Sequence, residues 1–329
     1  MECILGSSPR KANLPTLLVS GGVGGARMAR GLAAVLDPAD LTIVVNVGDD
    51  DQLYGVDVSP DLDTVTYTLA GVEGPHGWGL QGDTFAVMDR LAQLDVDTTF
   101  RLGDTDLATC LERTNTRRRG ESLSSFTARL TAGLGVAATV LPATDDRLRT
   151  RVQIADGSWC DFQDYFVLRH HRDRVRSLAF DGAEEAKPAP GVLEAIDDAA
   201  AVIIAPSNPP LSIWPILAVQ EIRRALGAKD VVVGVSPLFA GRALKGPAAS
   251  VMADLGLPEG TAGVVAAYDG LLSHLIVDNI DASDTTTVDT DGVTILSTDT
   301  HIADRTSGAR LAKELMTIIG DATSISPVR

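Results

Sequence analysis

The sequence predicts an α/β protein: a Rossmann-like, doubly wound, mainly parallel sheet with a smaller inserted α+β lobe. Three observations carry this. Unbroken runs rich in β-branched residues, such as Leu41-Thr42-Ile43-Val44-Val45-Asn46-Val47, suit strands covered on both faces. Strand-like and helix-like segments alternate through the first third of the chain, and apolar strands return late. The cluster Gly21-Gly22-Val23-Gly24-Gly25 stands between the first apolar run and the first helix-like stretch, where open parallel sheets place ligand-holding turns.

Residues 17–20 read as the first strand and residues 26–36 as the first helix, with the glycines as the turn between them. Glycines there let the backbone bend and approach a phosphate, while free N–H groups and the helix dipole favour negative charge. The spacing is not the first, third and sixth glycine pattern of dinucleotide folds, and no Lys-Ser/Thr pair follows as in a P-loop. The motif therefore names a phosphate site and not a ligand, and its competing explanation is a turn serving only tight strand–helix packing. A side chain at Gly24 is expected to crowd the bound diphosphate.

Segments 41–47, 63–70 and 83–94 continue the alternation. From about residue 141 to 190 the pattern changes. Residues 150–154 and 159–162 alternate apolar with polar around the turn Ala155-Asp156-Gly157-Ser158, a hairpin signal, and Tyr165-Phe166-Val167-Leu168 is a further strand candidate. Strands resume at 201–205 and 231–235, with a helix candidate at 213–226 between them. The expected division is residues 14–140 and 191–329 as the ligand-binding domain, with 141–190 as the inserted lobe.

A chain of 329 residues that is 45% hydrophobic can bury a substantial core. Its 28 Lys+Arg against 44 Asp+Glu give a net charge of −16, which disfavours nucleic acid and anionic membranes as partners. A small anionic ligand must then be held locally, by backbone dipoles, a few arginines or a metal. Cys3, Cys110 and Cys160 lack metal-type spacing and read as reduced thiols of a cytoplasmic protein. His170-His171 lies among arginines and reads as an exposed polar strand end. Met1–Asn13 has no signal-peptide pattern and reads as a loose tail, and no apolar run is long enough for a membrane span.

Four polar clusters fall where such sheets bind ligands. The first is the glycine loop. The second, Asn46-Val47-Gly48-Asp49-Asp50-Asp51, supplies hard oxygen ligands suited to Mg²⁺. The third, Ser59-Pro60-Asp61-Leu62-Asp63-Thr64-Val65, reads as another acidic strand end, from which Asp61 or Asp63 reaches the same space. The fourth, Ala205-Pro206-Ser207-Asn208-Pro209-Pro210-Leu211-Ser212, offers donors and acceptors for a base or sugar. Arg101 is a candidate for phosphate or for stacking on a flat ring. No Ser/His/Asp or Cys/His nucleophile set is present, so positioning plus a divalent cation is the indicated mechanism.

In order, these clusters resemble the 2-phospho-L-lactate transferase family of coenzyme F420 biosynthesis, including its actinobacterial phosphoenolpyruvate transferase branch. The matching stretches are Ser20-Gly21-Gly22-Val23-Gly24-Gly25-Ala26-Arg27, Val45-Asn46-Val47-Gly48-Asp49-Asp50, Ser59-Pro60-Asp61-Leu62-Asp63-Thr64, Leu102-Gly103-Asp104, Ala205-Pro206-Ser207-Asn208-Pro209, Val235-Ser236-Pro237 and Gly246-Pro247-Ala248. They span roughly residues 15 to 275, and beyond Tyr268 no motif is transferable. The resemblance implies a dimeric, Mg²⁺-dependent enzyme that moves a phosphorylated three-carbon acid (phospholactate, phosphoenolpyruvate or phosphoglycerate) from a guanosine-diphospho donor to the deazaflavin Fo, releasing GMP. It further implies Asp63 and Arg101 as Fo contacts, Asp50 and Asp63 as catalytic metal ligands, and Gly22, Val23, Gly24, Gly25, Ser207 and Asn208 as the donor nucleotide site. Asp63→Asn is then expected to abolish turnover with the fold intact. The family's Gly-Asp-Arg-Asp-Leu-Ala-Thr-His reads Gly103-Asp104-Thr105-Asp106-Leu107-Ala108-Thr109-Cys110 here, so an arginine and a histidine are missing. The second reading is a non-catalytic UDP-sugar-binding regulator of the gluconeogenesis-factor type, and the third a nucleotide-sugar or NAD-dependent enzyme.

Overall fold

A computed structural model describes residues 14–244, 246–286 and 292–325, so Cys3 and the expected N-terminal tail lie outside the described residues. Along the chain run β1 (Thr16–Ser20), α1 (Gly22–Ala33), β2 (Leu41–Val45), β3 (Asp51–Leu53), β4 (Val56–Val58), α2 (Pro60–Ala70), α3 (Ala86–Ala92), α4 (Asp104–Arg118) and α5 (Leu123–Gly133). There follow β5 (Thr139–Pro142), β6 (Arg149–Ile154), β7 (Trp159–Asp161), β8 (Val175–Asp181), α6 (Val192–Asp198) and β9 (Ala201–Ile204). The remainder is α7 (Trp214–Ala218), α8 (Gln220–Gly227), β10 (Val232–Val235), β11 (Leu238–Phe239), β12 (Arg242–Ala243), α9 (Ala248–Asp254), α10 (Gly260–Tyr268), β13 (His274–Asp278), β14 (Thr294–Thr298) and α11 (Arg305–Ile325).

Seven strands form one sheet in the order β14-β13-β10-β9-β1-β2-β5. Every pairing in it is parallel. Its central strands are apolar because both faces are covered: β1 and β9 are buried along their whole length. From β1 the chain winds outward through β2 to β5, then returns to the other side of β1 and proceeds through β9 and β10. The strand order therefore reverses between β1 and β9, and the loops leaving those two strands diverge over a crevice. Helix α1 crosses α11 at close range, since a Cβ at Gly31 would meet the backbone of Gly308.

β6, β7 and β8 form a separate antiparallel sheet in the order β7-β6-β8. Its small core of Val152, Ile154, Phe162, Tyr165 and Val175 also takes in Leu211 and Val251 from the surrounding domain. A third cluster packs Val56 and Val58 against Met88, Leu102 and Cys110.

Four local expectations change. Helix α1 begins at Gly22 and not at residue 26, so the glycines form its first turn. Residues 165–168 are a π-helical turn, Asp164–Leu168, that swings Tyr165 into the small core in place of a strand. The helix expected at 213–226 is broken at Val219, which is extended and fully buried, so tertiary packing overrides the helical period there. The third acidic cluster follows the end of β4, a strand of a separate two-stranded sheet, and opens helix α2 behind Ser59, with Asp61 and Asp63 in the first turn, where carboxylates complement the helix dipole.

Candidate active site

The glycine turn is clamped to the loop after β9. Ser207 Oγ donates to the Gly21 carbonyl at 2.7 Å and accepts from the Gly21 N–H at 3.3 Å. A Cβ at Gly24 would run into the Pro206 carbonyl, and one at Gly25 would lie 2.9 Å from Ser207 Oγ. Gly22 takes φ +64, a left-handed conformation that favours glycine. The glycines thus let two strand-tip loops meet at the switch point. Gly24 in particular is pressed on protein backbone and not on an open ligand space, which corrects the reason expected for its small size.

The acidic loop after β2 and the first turn of α2 come together beside this clamp. Asn46 Nδ2 donates to Asp49 Oδ1 at 2.8 Å and to Asp61 Oδ2 at 2.9 Å, bridging two buried carboxylates. Asn46 Oδ1 accepts from the Gly48 N–H, so the amide is fully committed and fixes the loop. Asp61 also accepts from the Gly22 N–H and crowds Gly21, whose Cβ would lie 2.7 Å from Asp61 Oδ2. Part of the anion-attracting start of α1 is therefore met by an internal carboxylate. Asp50 Oδ2 accepts from Ser59 Oγ at 2.9 Å, while Asp50 Oδ1 is buried without a hydrogen-bond partner among the described residues.

Asp63 points to another partner. Arg113 of α4, 1% exposed, is ion-paired with Asp63 and donates to the Asp57 carbonyl at 3.1 Å. Its guanidinium lies 5.1 Å from the Phe126 ring centre. Asp106 accepts from the Tyr67 hydroxyl at 2.9 Å, and one ligand atom from each of Asp63, Asp106 and Cys110 lies within 4.8 Å of the others. Asp106, Cys110 and Arg113 follow i, i+4, i+7 spacing, which puts them on one face of α4. That spacing was the available signal for Arg113, which sequence motifs alone passed over.

Burial dominates the electrostatics. It raises Asp49 well above the usual carboxylate range, with Asp61 and Asp50 adding repulsion against the Asn46 hydrogen bond. Burial lifts Asp50 to about 6 against the pull of Arg149 and Arg113. Asp61 also rises to about 6 by burial, against its bonds from Asn46 and Gly22. Asp63 is raised by burial against the pull of Arg113, and Asp106 is lifted to about 7 by burial and by Asp63. Burial and Asp63 push the Cys110 thiol up to about 12, so it is no nucleophile.

The remaining expected residues divide. Asn208 accepts from the Leu211 N–H and caps the turn Pro209–Ile213, so its side chain serves local structure. Arg101 lies on the surface, ion-paired with Asp89 at 2.8 Å and 4.8 Å from the Phe85 ring centre, and no contact among the described residues joins it to Asp63. Asp104 accepts from Thr84 and the N–H groups of Ala86 and Val87, while Asp83 accepts from those of Thr105 and Asp106. Each aspartate thus caps the helix that follows the other's segment. Among the described residues no helix is long and apolar enough to cross a membrane.

This is a doubly wound α/β protein with a glycine-turn and carboxylate site at its topological switch point. The 2-phospho-L-lactate transferase CofD family matches residues 17–315, and the chain belongs to it. The match runs past Tyr268 and takes in β13, β14 and half of α11, beyond the stretch in which motifs are legible. Similar relatives include a phosphoenolpyruvate transferase of Streptomyces coelicolor, 40% identical over 92% of this chain and 97% of that protein. A 2-phospho-L-lactate transferase of Methanopyrus kandleri is 36% identical over 93% and 98%. In fold the chain is similar to a upf0052 family protein of Bacillus halodurans, with TM-score 0.60 at 16% identity, covering 92% of this chain and 99% of that one.

Two outcomes follow from the geometry. Gly24→Val should lower unfolding free energy in urea by about 1–3 kcal/mol, the usual cost of overpacking, and an unchanged midpoint would refute the Pro206 contact. Asp63→Asn should not leave the fold untouched, because it strands a buried guanidinium. The expected loss is about 3–5 kcal/mol, with Arg113→Met in the same chain recovering a large part of it. Activity that stays absent in the restored double variant separates a chemical role of Asp63 from its structural one.

Proposed function

We propose that this chain moves a phosphorylated three-carbon acid from a guanosine-diphospho donor to the deazaflavin Fo, with release of GMP, in coenzyme F420 biosynthesis. The observation that carries this reading is the convergence of the glycine turn, the Asn46-bridged aspartates and the first turn of α2 at the switch point of a chain matched to the transferase family over residues 17–315. Main-chain N–H groups of Val23, Gly24 and Gly25 cradle the donor diphosphate, Gly22 opens the turn with its own N–H given to Asp61, and the Ser207–Asn208 loop borders the nucleoside. The terminal ribityl hydroxyl of Fo attacks the phosphorus that carries the acid. The phosphorus–oxygen bond to GMP breaks, its electron pair leaves with the GMP oxygen, and the hydroxyl proton passes to water. Asp63, held by Arg113, orients the acceptor, and Arg101 with its Phe85 platform bears on the Fo ring.

The donor set suits a hard divalent cation. Asp50 Oδ1 is a buried acceptor without a partner among the described residues, and Asp63 lies within electrostatic reach of Asp50. Asp50 and Asp63 would hold Mg²⁺, which when bound offsets the charge of the diphosphate. The Asp63–Asp106–Cys110 side of the cluster is less suited, since burial keeps the Cys110 thiol protonated and Arg113 approaches its sulfur at 3.8 Å.

The purified protein with Fo, Mg²⁺ and each guanosine-linked donor should yield phosphorylated Fo product and GMP, and the donor that turns over fastest identifies the acid. Tight UDP-sugar binding with no turnover would instead establish the regulator reading. Mg²⁺ binding is also expected to depend on pH in a defined direction. Asp50, raised to about 6, weakens the fold when ionised, so its penalty grows as pH rises through 6 and vanishes well below it. Mg²⁺ should therefore raise the Tm more at pH 7.5 than at pH 5. An equal shift at both would remove Asp50 from the cation site.

A further inference from the structure

Few charged groups near the acidic loop are left without a partner. Of the arginines facing Asp50, Arg113 is bound to Asp63, and Arg117 reaches Asp57 at 3.7 Å. Arg149 differs. Half-buried at the start of β6, it makes no ion pair among the described residues, and its side chain donates only to the Leu148 carbonyl, at 2.7 Å. β6 nevertheless seats it beside the acidic loop, where its charge pulls on Asp50, whose Oδ1 has no partner among the described residues. Burial of this guanidinium is unfavourable; Asp50 and Asp51 offset it in part without pairing with it, and Arg147 and Arg117 add like charge. Two residues along the same strand, Arg151 does find carboxylates, Asp161 at 3.2 Å and Asp181 at 3.6 Å.

The position of Arg149 follows from how β6 is seated. The Thr150 N–H donates to the Gly48 carbonyl at 2.8 Å, and Gln163 Nε2 donates to the Asp49 carbonyl at 2.7 Å. A Cβ at Gly48 would lie 2.6 Å from Thr150 Oγ1, so the antiparallel sheet rests directly on the acidic loop. β6 follows β5, which pairs with β2 on the side away from β9. Across the strand tips the order is the glycine turn with Ser207, then the acidic loop, then Arg149.

We propose that Arg149 binds the carboxylate of the three-carbon acid carried by the donor and so selects the donor's acid end. The inference rests on the transferase reading above. A nucleotide whose diphosphate lies at the glycine turn extends its transferred group past Asp50 toward β6, where the planar fork of a guanidinium matches a carboxylate. The antiparallel sheet then has a purpose: it brings a cation to a mouth whose strand tips are acidic.

Calorimetric titration of the full chain with Mg²⁺ tests this, using GDP and the guanosine-diphospho three-carbon acids as probes. GDP lacks the acid. Arg149→Gln should leave GDP affinity within about twofold, which also reports a folded site, while weakening the acid-bearing donor about 10- to 100-fold, the range for one charge-assisted pair. Arg149→Lys should fall between. Equal loss for both ligands would assign Arg149 to the diphosphate and overturn the proposal, as would unchanged affinity for the acid-bearing donor. Binding is read without turnover, so a wild-type protein that binds these donors yet never transfers to Fo sinks the transferase reading and leaves the Arg149 measurement decisive on its own.

Discussion

Everything at the mouth of the sheet depends on burying Asp49, Asp50, Asp61 and Asp63 together. Carboxylates removed from water repel one another, and each must be met by a donor or remain protonated. The fold meets most of that demand with a few groups: the Asn46 amide between Asp49 and Asp61, the Gly22 N–H, Ser59 and Arg113. One oxygen, Asp50 Oδ1, is left without a partner among the described residues. A folded protein that keeps such an acceptor buried stores free energy that a ligand can release, and this is how binding sites commonly trade stability for function.

The same demand explains the neighbouring architecture. α4 must pass close to α2 so that Arg113 can reach Asp63, and the exchange of caps between Asp83 and Asp104 fixes the start of α4 relative to α3. On the other side, the three-stranded sheet is tied to the acidic loop by main-chain and amide bonds to Gly48 and Asp49. Peripheral elements thus converge on a loop of a few residues. Distortion in any of them would be felt at the carboxylates, because packed interiors transmit strain.

Much of the central fold was legible. The apolar runs at β1, β2, β9 and β10 could be read because strands buried on both faces lose the usual alternation. The hairpin of β6 and β7 was legible because one of its faces is wet and the period of two survives. Residues 165–168 and Val219 were misread because their conformation is chosen by what they bury, a small core in one case and the main core in the other. Arg113 left only a faint trace, a spacing along α4, since nothing local distinguishes an arginine destined for the interior from one destined for solvent.

The sequence by itself determined the class of fold, the glycine turn after the first strand, the acidic character of the second strand tip and the family, because these reside in contiguous residues and their order. Only the tertiary structure decided the partners: that Gly24 rests on Pro206, that Asp61 reaches the Gly22 N–H, that Asp63 belongs to Arg113, and that β6 seats Arg149 beside the acidic loop with no ion pair among the described residues. Those pairings join segments far apart along the chain. Local propensity carries no information about them, and it is packing and the electrostatics of burial that select which charge meets which.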